Sequence, residues 1–443
     1  MKKINIFNSS ATRKDTLCFF SWIIFLLFAR FVIDRLTLLY SIIIGKTYVD
    51  YNSFDISDWL INYEGGFIRR GILGQILWEV EQLHLYDVRI AIAIICLVTS
   101  IILLIIIIRI FKEEGWSMLI IPTGFLFGFT VFNLGGRRDM ISLLLTFVIF
   151  MLYNMKISHQ RKNSFWCFLF YLVSIIQILV HEASFFYTFP ILILYDFKII
   201  RNKQSFCIKS LLCLLHFMPM IITMVIVCIF KGSSNVAEFI WISWKEVFNN
   251  FPCYCDTTMI GKGVDALAWG AKETFLNHLR AGYLGFHSPS YLRIPIVFFN
   301  FFAAYLLITR INAIDMKIWE KRQMNNVLMS NILLIQLLAM IPMFTILSCD
   351  WGRTIPYWLF SSLFFYHVFK YEQIEFFPFL TIVSRKFQTI ISNNPILRNN
   401  YTYILLVLLC PIPGACAPFD FANTFQQGFI EHFCMFLRTS CSL

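Results

Sequence analysis

The chain has 443 residues, of which 58% are hydrophobic and only 14% charged, and its formal net charge is +11. A soluble domain holds about 25% charged residues, so this composition excludes a water-soluble fold for most of the chain, and a mean hydropathy of +0.69 agrees. The basic residues fall in connectors between apolar runs, where they set membrane orientation, and no basic-aromatic sheet, zinc spacing or helix-turn-helix pattern points to nucleic acid.

Apolar runs of about 20 residues recur along the whole length and predict an all-α, polytopic membrane helix bundle of about eleven spans, read as a single integral membrane domain over 1–443. Lys2, Lys3, Arg13 and Lys14 place the N-terminus in the cytoplasm. The apolar run after the polar residues 1–15 has no small-residue cleavage site, so no cleavable signal peptide is expected. Segment one starts near Thr16 and leads out to an external loop, 46–88. Segment two (89–110) returns to Lys112, and segment three (117–132) leads out to Gly135-Gly136-Arg137-Arg138-Asp139. Segment four (140–153) returns to Lys156, Arg161 and Lys162, and segment five (165–180) ends outside at His181-Glu182. Segment six (185–195) returns to Lys198, Arg201, Lys203 and Lys209. Segment seven (211–230) opens into the longest external loop, 231–292. Segment eight (294–309) returns to Arg310, Lys317, Lys321 and Arg322. Segment nine (327–347) ends outside at Cys349-Asp350-Trp351-Gly352-Arg353. Segment ten (355–369) returns to a basic cytoplasmic stretch with Lys370, Arg385, Lys386 and Arg398, and segment eleven (401–418) leaves an external tail. No internal repeat is present, against a two-fold-repeat transporter.

This trace gathers the unusual charges on one face. Lys and Arg ordinarily stay on the cytoplasmic side of short loops, yet Glu64-Gly65-Gly66-Phe67-Ile68-Arg69-Arg70-Gly71 and the Gly135–Asp139 turn carry arginine pairs outside. Ile68, Ile72, Leu73, Ile76, Leu77 and Val80 share one helical face, with Arg69, Arg70, Gln75, Glu79 and Gln82 mostly on another. The spacing predicts an amphipathic helix on the outer surface from Phe67. Gly65 and Gly66 before its first turn would let backbone amides approach an anion, and Arg69, Arg70, Arg137, Arg138 and Arg353 supply forked donors for phosphate oxygens. A plainer reading has these arginines touching lipid headgroups.

His181-Glu182 offers a proton acceptor or a divalent-cation contact; no HExxH motif is present. Glu64, Asp139, His181, Glu182 and Asp350 are the candidates for catalytic base or metal contact, with Asp55 and Asp58 as further acids. No metal ligand set is assigned, and a divalent cation is the one cofactor the acids suggest. In the long external loop, Trp241, Trp244, Trp269, Tyr283, His278 and Arg280 suit carbohydrate stacking or an interfacial belt. Cys96, Cys167, Cys213 and Cys228 read as packing residues, and Cys253 or Cys255 as a partner for a residue such as Cys349 in a disulfide.

External arginines, carboxylates and aromatics suit a sugar carried on a polyprenyl phosphate or diphosphate: cations for the phosphates, a base for the acceptor hydroxyl, guanidiniums for the charge that grows on the leaving group. In its many spans, its Phe and Ile content, its long external loop and its external arginines, the whole chain resembles the O-antigen and capsule repeat-unit polymerases of bacterial envelopes. It also resembles GT-C glycosyltransferases, which place acids and amphipathic helices in the first external loop; Asp55, Asp58, Glu64 and the helix from Phe67 match that layout. The first resemblance implies an inner-membrane enzyme that moves a growing glycan from undecaprenyl diphosphate to the next lipid-linked unit, with the bilayer, polyprenyl-linked oligosaccharides and a chain-length regulator as partners. The second implies transfer of one sugar from a polyprenyl phosphate. A flippase for lipid-linked oligosaccharide is the transporter alternative, and a surface-sugar acyltransferase centred on His181 a third.

Overall fold

In a computed structural model the described residues are 54–83, 88–114, 138–158, 164–200, 203–247, 263–268, 326–343, 351–369 and 376–398, with isolated positions 270, 272 and 276. All elements among them are helical, and none is a strand. Segments one, three, eight and eleven fall outside the described residues.

A bundle and a cap make up the architecture. The bundle holds α3 (Val88–Glu114), α4 (Asp139–Ser158), α5 (Ser164–Val180), α6 (Ser184–Tyr195), α7 (Phe206–Ile229), α9 (Asn326–Ala339) and α10 (Trp351–Phe369). Among the described residues three stretches are long and apolar enough to cross a bilayer: Val88–Ile107, Asp139–Ile157 and Phe206–Ile229; Ser164–Val180 and Val327–Ala339 are shorter apolar helices. The described spans therefore fit a polytopic membrane helix bundle, while the count of eleven stays an expectation. α3 contains the run Ile105-Ile106-Ile107-Ile108, β-branched residues that favour strands in water. In lipid each backbone group must find its partner within the segment, and that requirement selects the helix. α6 passes at Asp196 into a π-helical turn, Asp196–Ile200.

The bundle core is aromatic. Phe150 packs edge-on against Phe365, Tyr195 lies 4.6 Å from Phe369, and Tyr187 stacks on Tyr357 at 4.7 Å. A polar seam runs beside it: Gln177 donates to Thr146 and to the Ser142 carbonyl, and Gln336 donates to the Tyr187 carbonyl. Both amide groups donate to acceptors within the protein, since no water inside such a bundle offers an alternative.

The cap consists of α1 (Phe54–Ser57), which runs on as a 3-10 turn (Asp58–Leu60), α2 (Gly71–Glu81), α8 (Ser234–Val247) and a 3-10 turn at Asp265–Ala268. Its core joins Trp59, Leu60, Leu77, Trp241, Trp244 and Leu267 to Val88, Ile92 and Cys96 of α3. This corrects the reading of Trp241 and Trp244 as stacking faces for sugar: both are buried, and the Trp244 indole donates to the Leu60 carbonyl at 2.7 Å. The first part of the 231–292 loop is thus a structural helix.

The helix predicted from Phe67 begins four residues later, at Gly71. Its inward face is Gly71, Gly74, Leu77 and Glu81, whereas Ile76 points out. The apolar stripe read from the sequence is rotated because α2 crosses the chain at 59–61 through glycine: a Cβ on Gly74 would overlap the Ile61 carbonyl. Residues 378–398, expected only as a basic connector, contain the helix α11 (Pro378–Asn393) and a short α12 (Pro395–Arg398).

Candidate functional site

The cap meets the bundle along a line of ions. From the cap come Asp58, Arg69 and Arg70; from the ends of the bundle helices come Arg138 and Asp139 at the start of α4, His181 and Glu182 between α5 and α6, and Tyr357 on α10. Arg138, fully buried, grips Asp58 with both forks: Nε donates to Oδ2 at 2.9 Å and Nη2 to Oδ1 at 2.6 Å, while Nη1 donates to the Arg70 carbonyl at 2.5 Å. Arg70 in turn holds Glu182, with Nε 2.7 Å from Oε2 and Nη2 2.6 Å from Oε1, and stands 3.6 Å from Asp58. Arg69 reaches Glu182 at 3.4 Å.

Local structure explains the convergence. Arg70 precedes the first turn of α2 with φ 65°, the left-handed region, where it is the one non-glycine among the described residues. That geometry costs an L-residue about 1–2 kcal/mol. It turns the Arg70 carbonyl toward Arg138 and the guanidinium toward Glu182. The Arg69 amide donates to the Phe230 carbonyl at the end of α7 (3.0 Å), tying the loop to the bundle. Beneath Asp58, the Gly263 amide donates to Ser57 Oγ at 2.6 Å, so the segment after α8 also braces this acid.

Burial would push the Asp58 carboxyl up, but Arg138 and then Arg70 override it and hold it below its ordinary range. Glu182 follows the same balance, burial opposed by Arg70 and Arg69, and lies well below the usual glutamate value. Burial also draws the Arg69 guanidinium below its ordinary value against the pull of Glu182. The Tyr63 phenol beside Arg138 is pushed up to about 12 by burial. Paired acids and bases of this kind stay ionised at neutral pH.

A second group adjoins the first. Asp139, buried at the N-terminus of α4, accepts from the Tyr357 hydroxyl, and its Oδ1 is 3.5 Å from His181 Nε2. The Ala183 amide donates to His181 Nδ1 at 3.2 Å. With Nδ1 accepting, the neutral imidazole carries its proton on Nε2, toward Asp139. Both ring nitrogens are engaged, so His181 is placed to orient Asp139 rather than to take a substrate proton.

Of the residues singled out from sequence, Arg69, Arg70, Arg138, Asp139, His181 and Glu182 come together here. Glu64 does not: it is exposed and its side chain accepts from Gln75. Gly65 and Gly66 form a turn closed by the Gly66 amide on the Tyr63 carbonyl, with Gly66 at φ 99°, and they precede the first residue of α2 by six and five positions. Arg137, Asp350 and the Arg353 side chain lie outside the described residues, as do Trp269, His278, Arg280, Tyr283, Cys253, Cys255 and Cys349. Asp58 was legible as an acid in the loop after the first apolar segment, but its pairing was not; Tyr357 sits in an apolar run and gave no signal. Among the described residues no group of three or more His, Cys, Asp or Glu side chains is arranged to hold a metal ion.

The model of the family described as uncharacterised membrane protein Rv1490 matches residues 25–251, more than half of the chain. The chain belongs to this family. The Rv1490 match takes in the cap helices α1, α2 and α8 and every ion of the cluster, while Tyr357 and α9–α11 lie beyond it. No curated protein and no solved structure matches the chain.

Proposed function

We propose that this Rv1490-family protein is a membrane glycosyltransferase of the GT-C type that acts on a polyprenyl-phosphate-linked sugar at the external face of a bacterial inner membrane. The observation that carries this reading is the meeting of first-loop Asp58 with Arg69, Arg70, Arg138, Asp139 and Glu182 at one set of helix ends. The repeat-unit polymerase is a subclass of the same chemistry, in which donor and acceptor are both lipid-linked.

Charge decides how such a site would work. Among the described residues three arginines face three carboxylates, and in this proposal a phosphate binds by replacing one of those internal anions. Glu182 is the outermost of the three carboxylates: its side chain is 15% exposed, against 6% for Asp58 and 1% for Asp139. In this proposal the lipid phosphate displaces Glu182 from Arg69 and Arg70, which then stabilise the charge growing on the phosphate as the sugar C1–O bond breaks. Asp58 keeps Arg138 and the Arg70 carbonyl in place. Asp139 accepts from the Tyr357 phenol and lies beside the His181 imidazole, and in this proposal it takes the proton from the acceptor hydroxyl as that oxygen bonds to C1.

Deletion of the gene followed by mass spectrometry of lipid-linked glycans tests the proposal: a polyprenyl-linked intermediate should accumulate. Complementation with Asp139→Asn should leave the accumulation in place, while wild type clears it. An unchanged lipid-glycan profile on deletion would end the glycosyltransferase reading. Single repeat units without long polymer would select the polymerase subclass.

A transporter is the second reading, favoured by ions at the other end of the bundle. Asp196 accepts from the Tyr153 hydroxyl at 2.8 Å and faces His216 Nδ1 at 3.4 Å, and Lys156 contacts the other nitrogen of that ring. Between the two ionic sites, however, α4 presents Phe150 packed against Phe365 and Phe369. Purified protein that flips a fluorescent polyprenyl-linked sugar across liposomes would support transport over transfer.

A further inference from the structure

The helix α11 is built the wrong way round for a helix surrounded by water. Thr381 and Ser384 face inward and bond to Asn331 of α9: Asn331 Nδ2 donates to Thr381 Oγ1 at 3.1 Å and Ser384 Oγ donates to Asn331 Oδ1 at 2.6 Å. Outward lie Phe379, 71% exposed, Ile382 and Ile390, with Ile396 of α12 beyond them. Arg385 is exposed at the border of this apolar sector and Lys386 within it, between Ile382 and Ile390 by helical spacing, and the helix sequence PFLTIVSRKFQTIISN contains no acid.

Its place in the fold is also defined. Lys198, in the π-helical turn at the far end of α6, sits over the Phe377 ring at 4.7 Å. Lys198 is sixteen residues along from Glu182, roughly 20 Å of helix. The start of α11 is therefore at the end of the bundle opposite the acid–arginine cluster, at a membrane border.

We propose that α11 is a docking surface for anionic phospholipid. Phe379, Ile382 and Ile390 insert at the headgroup–acyl boundary, and Arg385 and Lys386 bind the phosphates of lipids such as phosphatidylglycerol. A helix whose outward face combines apolar and basic residues lies in the plane of the interface, the long basic side chains reaching up to the headgroups, and each basic residue held near an anionic surface adds to the binding. Charge complementarity selects the lipid over a protein partner: an acid-free helix with two adjacent cations answers a dense layer of phosphates, and its long apolar side chains answer acyl carbon.

The test uses the full chain in nanodiscs of phosphatidylglycerol or of phosphatidylcholine, followed by hydrogen exchange over residues 378–393. Exchange should be slower in phosphatidylglycerol by roughly tenfold, and Arg385→Glu with Lys386→Glu should remove the difference. A photoreactive benzoylphenylalanine in place of Phe379 in native membranes should yield lipid adducts rich in phosphatidylglycerol. Equal exchange in the two lipids, or adducts to a polypeptide in place of lipid, would overturn the proposal. The wild-type comparison between lipids stands even where the charge-reversed variant fails to insert.

Discussion

Arg70 holds a backbone conformation that glycine would adopt more cheaply, and what it gains is two sets of contacts, one through its carbonyl and one through its guanidinium. Arg70→Gly and Arg70→Ala both remove the clamp on Glu182, but only glycine relieves the left-handed strain. The glycine variant should therefore be more stable than the alanine variant by about 1 kcal/mol, as measured by thermal unfolding in detergent, with both reduced in function. Glu182→Gln should leave Arg69 and Arg70 with a neutral partner and tighten the binding of undecaprenyl phosphate, read as a lower Kd by microscale thermophoresis; weaker binding would contradict Glu182 as the displaced anion. Asp58 and Glu182 also set an acid limit. Both are depressed below ordinary values of 3.8 and 4.5, so their stabilisation is fully present above those values and is lost as pH falls toward the folded ones. The melting temperature should hold from pH 8 to 6 and drop below about pH 4. Asp58→Asn, which strands the buried Arg138, should cost about 3–5 kcal/mol at neutral pH and flatten that drop. The residue types at this site were readable as arginine pairs and acids at the ends of apolar runs. Who pairs with whom was not, because Arg138 and Asp58 are 80 positions apart and nothing local encodes that meeting.

At the level of elements, helix bodies in the described spans followed hydropathy closely and helix ends did not. α5 and α6 begin one residue before the apolar runs that predict them, at Ser164 and Ser184, since lipid enforces internal hydrogen bonding throughout such runs. α2 departs from its predicted start because Arg70 is left-handed, and its buried stripe departs from the apolar one because two glycines, Gly71 and Gly74, take the inward positions. A small-residue contact of this sort carries no hydrophobic signal. Gly74→Ala should push α2 off the 59–61 backbone and cost about 1–3 kcal/mol, seen as faster proteolysis within the cap. α11 went unread for the opposite reason: Phe379, Ile382 and Ile390 face outward while Thr381 and Ser384 face inward, so burial at these positions reverses the usual pattern.

Across the whole molecule, the described positions of the ionic groups agree with an arrangement in which Asp58, Asp139 and Glu182 share one end of the bundle and Lys156 and Lys198 lie toward the other. With the N-terminus cytoplasmic, as the basic residues predict, alkaline phosphatase fused after residue 182 or 231 should be active, and fusions after 162 or 203 inactive. Reversed activities would invert the membrane face of the proposed chemistry. Composition alone revealed the membrane bundle, because lipid tolerates few charges. The division into bundle and cap was hidden, since the cap is itself rich in Trp, Leu and Ile and blends into the surrounding apolar sequence.

The burial of Trp59, Trp241 and Trp244 within the cap has an optical consequence. Indoles shielded from water emit at shorter wavelength than hydrated ones, and all three belong to the layer that the Asp58–Arg138 and Arg70–Glu182 pairs fasten to the bundle. A red shift in intrinsic fluorescence, appearing as acid or high phosphate loosens those pairs while helical circular dichroism holds steady, would time the lifting of the cap from the bundle with no label attached.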